Sequence, residues 1–560
     1  MKRTQFTRLL AAGIATAMTA GTLAGCGQRA GHSAAEAALT EAGTYPIIQD
    51  GTLEMTAFTM SMPNVEDLAT NDFTKFLEEK TGIKMSFLTG SRDDWEDKLN
   101  LMLQSGDYPD IIFGVQPNIA RFGIKEGIFI PLDDYLTKEN VPNYLKMMEN
   151  FDINITRETD GHIYSLANIN ECYHCSYGRK MWVNKHYLDE MGVNVPTTTA
   201  EFLDVCKKFL QYKPDGIPVA GAAAGWFSRM QDFLTDPFVL MPEKSLTFNV
   251  RDGVALNKET QRLESVVTTE GYKNAMKYLH ELYLAGAIYD GNFIQTGEQL
   301  KTLVNQPDEP VLFFTAGTIS DAIDSASNNE LYRHYEAMAP IAAPGQEPVA
   351  WTRPNSGINA GAFVITDKCQ NPRAALRWID FFYTHLIGDL SSQFGTDEGQ
   401  DWNLNPQGLY GLNGEPALFE VLNPYSAEPQ NHDWQDIGIR VAPAYFRLGQ
   451  AVPDNVDPYS PEGLEQLLYN VTHDLYEPYG ENGGYINLGR LAVTDAETSA
   501  VAVIGVEVEK IIEETSVAFI TGKKNIDTDW NSFISSLEKA GLHTLLETYT
   551  KAYDRQQVAQ

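Results

Sequence analysis

The chain has 560 residues, 42 of them basic and 75 acidic, for a formal net charge of −33. Its length exceeds one ordinary hydrophobic core and predicts two lobes or domains, and a hydrophobic content of 43% marks a globular rather than a disordered chain. An acidic excess of this size repels phosphate backbones and excludes nucleic acid as a partner.

Lys2, Arg3 and Arg8 form a basic segment ahead of a small, apolar run from Leu9 to Leu23, which is too short to span a bilayer comfortably. The run ends in Leu23-Ala24-Gly25-Cys26. This tetrapeptide resembles the lipobox of bacterial lipoproteins, in which the cysteine receives a diacylglycerol thioether and becomes the first mature residue. The alternative is a plain signal peptide with a chance cysteine. The resemblance implies a signal peptide over 1–25 and export to the extracellular face of the cytoplasmic membrane, with lipid anchoring at Cys26. Two acyl chains suffice for stable anchoring, and membrane contact is expected through that anchor only. Residues 26–44, rich in Ala, Glu, Gly, Ser and Thr without an apolar stripe, read as a flexible tether.

From Leu53 the sequence alternates. Leu53–Met60 reads as a strand, and Asn71–Lys80 as a helix with Phe73, Phe76 and Leu77 on one face and Gly82 as its stop. Ile83–Leu88 is a second strand, Ser91 caps a helix running through Leu103, and Asp110–Val115 is a short buried strand. A β-α-β-α-β order predicts a parallel sheet with helices on both faces. No Gly-x-Gly-x-x-Gly follows the first strand, so a dinucleotide site there is unsupported. Ligands of such sheets bind outside the carboxyl ends of the strands, which singles out the loops Ser61–Val65 and Gln116–Asn118.

Asp160–Asn184 (DGHIYSLANINECYHCSYGRKMWVN) places Tyr164, Tyr173, Tyr177 and Trp182 among amides and charges. That is the chemistry a polar ring-shaped ligand needs, and also that of an ordinary aromatic core. Its Cys172-Tyr-His-Cys175 motif is open between a disulfide and free thiols. A zinc or redox role is the least supported reading, because Cys26, Cys206 and Cys369 are isolated in sequence. Downstream, Thr198 caps a helix over 199–210, small residues in Ile217–Arg229 lead to Trp226 and Phe227, and Tyr272–Ala285 is amphipathic. Val311–Thr315 is a buried strand, and Glu336–Tyr383 repeats the first block: a strand closing at Met338, a loop with Trp351, Arg353 and Asn355, the strand Gly361–Ile365 and a helix opened by Pro372. The segment from about 395 to 489 is rich in Gly, Asn, Pro and Tyr. Two packing helices follow, Asp495–Phe519 with Val503, Val506, Ile511 and Ile512 inward, and Asp529–Tyr553. Neither Gly-x-Ser-x-Gly nor His-Glu-x-x-His occurs, and no EF-hand loop is present.

Several phrases in order resemble the family 1 extracellular solute-binding lipoproteins, the capture subunits of bacterial ABC importers: FTKFLEEKTGIK (73–84), LNLMLQSGDYPDII (99–112), GHIYSL (161–166), KMWVNKHYLDEMGVNVPTTTAEF (180–202), Gly357–Ile365 with Asn371–Asp380, and LEKAGLHTLLETYTKAYDR (537–555). CYHC followed by KMW resembles a Gram-positive subgroup associated with oligosaccharide uptake. The resemblance implies an α/β, two-lobed periplasmic-binding-protein-like fold (type II). Each lobe would be a mainly parallel sheet flanked by helices, with a hinge between: lobe one over 45–168 and 335–385, lobe two over 169–334 and 386–560. It implies a non-enzymatic monomer that closes on a carbohydrate and hands it to permease subunits, without cofactor or metal. Where many relatives carry an Asp/Asn-rich insert associated with calcium, this chain has only Lys213–Ile217, so calcium is not carried over. Expected ring-stacking residues are Trp226, Trp351 and Tyr173, then Trp402 and Trp434. Expected polar anchors are Asn64, Asn118, Glu171, Arg353 and Asn355. A surface polysaccharide-active enzyme, a binder of peptide or another solute, and a sensor co-receptor remain as alternatives.

Overall fold

Asn71 and Gly82 bracket the first helix for the reasons the sequence suggests. The Asn71 carboxamide accepts from the Phe73 N–H at 3.0 Å, and Gly82, at φ 72°, closes the last turn. The computed structural model describes residues 38–559 except Arg92, Asp93, Asp152, Trp226, Leu246, Glu309, 324–327, 354–356, 425–428, Asp454 and 461–462. The expected signal peptide over 1–25 and Cys26 therefore lie outside the described residues.

The start is β1 (Leu53–Met60), α1 (Asp72–Thr81), β2 (Ile83–Gly90), α2 (Trp95–Ser105) and β3 (Ile111–Phe113), with β1 parallel to both β2 and β3. The strands that complete the two main sheets are β4 (Ser165–Asn170), β5 (Met181–Asn184), β6 (Ile217–Ala220), β7 (Val311–Thr315), β8 (Tyr335–Met338), β9 (Ile358–Ile365) and β10 (Val441–Ala442). The first sheet has the order β10-β4-β9-β3-β1-β2 and the second β8-β5-β7-β6. In the first, only β9 runs against its neighbours; in the second, only β5 does.

That exception has a topological cause. The chain leaves the first sheet at the carboxyl end of β4 and enters the second through β5. It returns from the carboxyl end of β8 through β9. A strand entering at the rim where its neighbours end must run away from that rim, hence antiparallel to them. The two crossings, 171–180 and 339–357, thus join the same rims.

The first sheet is packed by Phe73, Phe113, Trp378, Phe382 and Trp434, the second by Trp182, Phe202, Leu279, Phe313 and Phe519, all nearly or fully buried. Burial of this kind is worth about 25 cal/mol per Å² of apolar surface and is the main drive for both cores.

The sheets depart from the expected division in two places. Residues 335–338, expected in lobe one, are β8 of the second sheet. Residues 386–446, expected in lobe two, pack on the first sheet: β10 pairs with β4, Trp434, Ile437 and Ile439 enter its core, and the buried Asp389 carboxylate accepts from Arg440 at 2.9 Å. The tether is also shorter than expected. From residue 38 the chain is tied down, with Thr40 N–H donating to Ile47 O (3.0 Å) and Arg377 donating to the carbonyls of Thr40 and Glu41 (2.7 and 2.8 Å).

After α3 (Thr199–Tyr212), which starts with the Thr198–Glu201 capping box, the last helices are α4 (Asp495–Ile520), α5 (Ile526–Ala540) and α6 (Leu542–Ala559). The single helix expected over 529–553 is broken by Gly541 at φ 104°. The phase expected for α4 holds only in its second half: Ile512 is buried and Ile511 packs partly buried on the core, but Val503 and Val506 are exposed, and Val501, Gly505 and Val508 face inward in their place. Among the described residues no helix is long and apolar enough to cross a membrane.

Candidate ligand-binding site

The carboxyl ends of β1, β3, β4 and β10 form one rim, and those of β6, β7 and β8 form the other. Loops at such rims are free of sheet hydrogen bonding and can present side chains to a ligand. The crossings are the floor between them, and both are held tightly. In the first, Cys172 and Cys175 form a disulfide with their Cα atoms 5.2 Å apart, around a single helical turn His174–Tyr177. Lys180, fully buried, donates to His174 O (2.9 Å) and Tyr177 O (2.5 Å) from beneath that turn. Burial pushes its ammonium down to about 7. His174 is held well below the ordinary imidazole range by burial, then by the positive charges of Lys180 and Arg447. The second crossing is stitched to the first by Arg353 N–H to Ser176 O (2.8 Å) and by Asn170 N–H to Gly357 O (2.9 Å). Gly357 is required there: at φ 74°, a Cβ would lie 2.1 Å from Asn170 O.

On the second rim, the loop after β6 folds back, with Ala222 N–H donating to Ser228 O (2.7 Å) and Ala223 N–H to Gln295 O (2.9 Å). Phe227 in this loop has φ 53°, a strained conformation for an aromatic residue. Its ring is wedged between Gly178 of the first crossing and Trp351 of the second, 4.9 Å from the Trp351 ring centroid. The Arg179 guanidinium lies 5.4 Å from the Trp351 ring, a cation–π contact away from water. Arg179 is itself buried, bound by Asp236 (2.8 and 2.9 Å) and Glu243 (2.8 Å). Arg251 and Arg229 extend this charge network through Asp232 to Glu513 on α4. Each member has an opposite partner, which a buried charge requires.

Two contacts reach from one half to the other beside the rims. Lys125 meets Asp495, the first residue of α4, at 2.7 Å, and the Arg490 guanidinium lies 3.4 Å from Ala360 O of β9.

The expected site residues divide accordingly. Tyr173, Glu171, Arg353 and Trp351 all lie in the crossings. The Tyr173 hydroxyl donates to Glu477 (2.8 Å) and its ring leans on Tyr469 (5.3 Å), forming a half-buried aromatic shelf. Glu171 accepts from Ala444 N–H (2.8 Å), Arg353 is exposed, and Trp351 is only 3% exposed. Asn64 and Asn118 lie on the first rim but are engaged, Asn64 donating to Gln435 (2.7 Å) and Asn118 accepting from Arg121 N–H (2.9 Å). Trp226 and Asn355 lie outside the described residues. Trp402 and Trp434 are corrections: both are core rings. Trp434 is fully buried edge-on to Phe73 (4.9 Å) with its N–H on Thr74. Trp402 is 3% exposed with its N–H on Gly395 O. Arg447 and Arg490, both at the first rim, escape the sequence reading. Neither sits in a motif, and only the pairing of β10 and the fold of 485–491 bring them there.

The chain is 26% identical to the fructooligosaccharide ABC transporter substrate-binding protein FusA of Streptococcus pneumoniae, over 96% of each chain. It is 22% identical to the polygalacturonan/rhamnogalacturonan-binding protein YtcQ of Bacillus subtilis, over 82% of this chain and 83% of that one. The solved structure of FusA with kestose superposes with a TM-score of 0.72 at 21% identity, covering 90% of this chain and all (100%) of FusA. An extracellular solute-binding protein from Bifidobacterium longum subsp. infantis also reaches 0.72, at 19% identity, covering 90% of this chain and 99% of that one. These structures establish the two-lobed solute-binding fold. The family model for bacterial extracellular solute-binding proteins matches residues 71–385, more than half of the sequence, and the chain belongs to that family.

Proposed function

We propose that this protein is a lipid-anchored extracellular receptor that captures an oligosaccharide between its two lobes and delivers it to the permease of an ABC transporter. The observation that carries the reading is the meeting of two carboxyl-end rims over crossings that hold Tyr173, Glu171 and Arg353, with the buried Trp351, packed between Phe227 and Arg179, as their support rather than a stacking face. Aromatic faces stack on sugar rings, while carboxylate and guanidinium groups satisfy hydroxyls. Full-length similarity to FusA, named for fructooligosaccharides, supports the solute class and the transporter partner. Lobe one is then 38–170 with 358–446, and lobe two holds β5–β8 and the C-terminal helices. No covalent chemistry is required: lobe closure needs only a higher ligand affinity in the closed state. Anchoring at Cys26 rests on the lipobox resemblance.

Isothermal titration of the purified soluble chain against a panel of oligosaccharides and peptides tests the reading. Micromolar or tighter binding of a glycan, recovered unchanged by chromatography, is expected. Tight binding of peptides with no glycan response, or cleavage of the glycan, overturns it.

A further inference from the structure

In this acidic chain, ion pairing of arginine is the norm: Arg121, Arg157, Arg179, Arg229, Arg440 and Arg555 each hold a carboxylate at 2.8–3.1 Å. Apart from Arg377, which is held by backbone carbonyls, and the exposed Arg262, the exceptions gather at the first rim and the crossings beside it. Arg353, Arg447 and Arg490 have no carboxylate within ion-pair distance among the described residues. Their positions follow the ends of adjacent strands. Arg447 reaches Asn170 Oδ1 at the end of β4 (3.4 Å), and its Nε is buried without an acceptor. Arg353 is hooked by its backbone to Ser176 beside the same turn. Arg490 lies against Ala360 and Gly361 of β9, and a Cβ at Gly361 would also be 3.8 Å from the Gln116 backbone in the loop after β3. The nearby carboxylates are otherwise engaged: Glu171 on Ala444 N–H (2.8 Å), Glu477 on the Tyr173 hydroxyl (2.8 Å) and Glu465 3.8 Å from His174. Glu158 is close enough to sense Arg490 but makes no ion pair with it. Lys180, beneath the turn, adds a further buried basic group, held by two carbonyls and the Tyr476 ring face rather than by a carboxylate.

Hydroxyls of a neutral sugar are held as well by amides as by guanidinium groups, so a neutral ligand alone gives no reason for three guanidinium groups without carboxylate partners. Guanidinium forks match carboxylates bidentately, and in a chain of net charge −33 a local cationic lining is what an anionic ligand requires to overcome the general repulsion. We propose that the site takes an oligosaccharide bearing carboxylate groups, a uronate-type glycan, with Arg353, Arg447 and Arg490 as its specificity-determining residues. This rests on the oligosaccharide reading above and narrows it.

The test titrates the full soluble chain with trigalacturonate, with its methyl ester (the same glycan without charge) and with a neutral fructo-oligosaccharide. Trigalacturonate is expected to bind at least tenfold more tightly than its ester, and to weaken as NaCl rises from 50 to 300 mM. Arg447→Gln and Arg353→Gln are each expected to weaken the acid about tenfold and the ester by no more than about twofold, so that the preference for the acid collapses. Arg353→Lys, at an exposed position that does not endanger folding, should recover only part of the loss. Equal or tighter binding of the neutral glycans, or variants that weaken acid and ester alike, overturns the proposal while leaving oligosaccharide capture standing. Binding of no glycan at all overturns both.

Discussion

Replacing Gly178 with alanine is the sharpest test of the way the crossings are locked to the second rim. A Cβ built there would lie 2.3, 2.5 and 2.6 Å from three atoms of the Phe227 ring, where ordinary contact begins near 3.4 Å. The ring must therefore retreat by about 1 Å, a distance that packed aromatic groups do not concede freely. Retreat is blocked on the far side by Trp351, whose ring centroid is 4.9 Å away and whose own far environment includes the buried Arg179. The left-handed backbone at Phe227 (φ 53°) leaves little room for a compensating swing. Overpacking of this sort costs about 1–3 kcal/mol. Urea unfolding followed by tryptophan fluorescence should show that loss. Ligand affinity should fall with it, because the 221–229 loop that must move forms part of the second rim. Phe227→Leu removes the offending ring edge, so the double variant should regain most of the loss, giving a coupling energy of about 1 kcal/mol or more. A Gly178→Ala protein within about 0.3 kcal/mol of the parent, or a double variant no better than the single, would refute the wedge.

Three further outcomes follow from the same geometry. Lys180 has its pKa depressed to about 7 from 10.5 in the folded state, so between those values the unfolded chain binds more protons and stability rises with pH. At roughly 1.4 kcal/mol per unit this is worth up to about 5 kcal/mol; Lys180→Met should flatten the pH dependence of the unfolding midpoint between pH 7 and 10, and an unchanged slope refutes the assignment. Reduction of the Cys172–Cys175 bridge, or its replacement by serines, closes one fewer small loop and should cost roughly 2 kcal/mol, read from urea melts with and without a dithiol. Trp434→Ala should cost about 3–5 kcal/mol as a cavity in the first core, without changing the affinity of the folded fraction; loss of affinity at unchanged stability would return this ring to the binding site.

The legible parts of the fold are those encoded within a few residues. β1 spans Leu53–Met60 as expected, and the Asn71 cap, the Thr198–Glu201 box and the Gly82 stop are local hydrogen-bonding or backbone preferences. What escapes depends on distant partners. A two-residue strand such as Val441–Ala442 has no periodicity to detect, so the return of 386–446 to the first sheet is invisible in sequence. In α4 apolar residues occur on every side, and the inward phase is set by Gly505 closing on Val250, where a Cβ would be 3.1 Å from the valine. Tryptophans behave similarly. Trp402 and Trp434 carry the same side chain as any stacking platform, and only their neighbours, Gly395 and Phe73 among them, reveal a structural role.

The CYHC stretch shows how the two kinds of information combine. Its composition is ambiguous between core and ligand chemistry, and the topology resolves why both readings have substance. Because the chain passes from the carboxyl end of β4 into the second sheet through β5, the segment between them lies at the junction of both rims, and part of it is a short helical turn. A free turn at that point would blur the geometry of every side chain it carries. The disulfide, the buried Lys180 beneath it, the Phe227 wedge against Gly178 and the Arg353–Ser176 hydrogen bond each remove a degree of freedom from the same few residues. Rigid support of this kind is what a recognition surface needs, since affinity is lost when binding must first order the groups that make the contacts. The motif thus contributes little chemistry of its own, and its effect is to fix Tyr173, Glu171 and the neighbouring guanidinium groups in place.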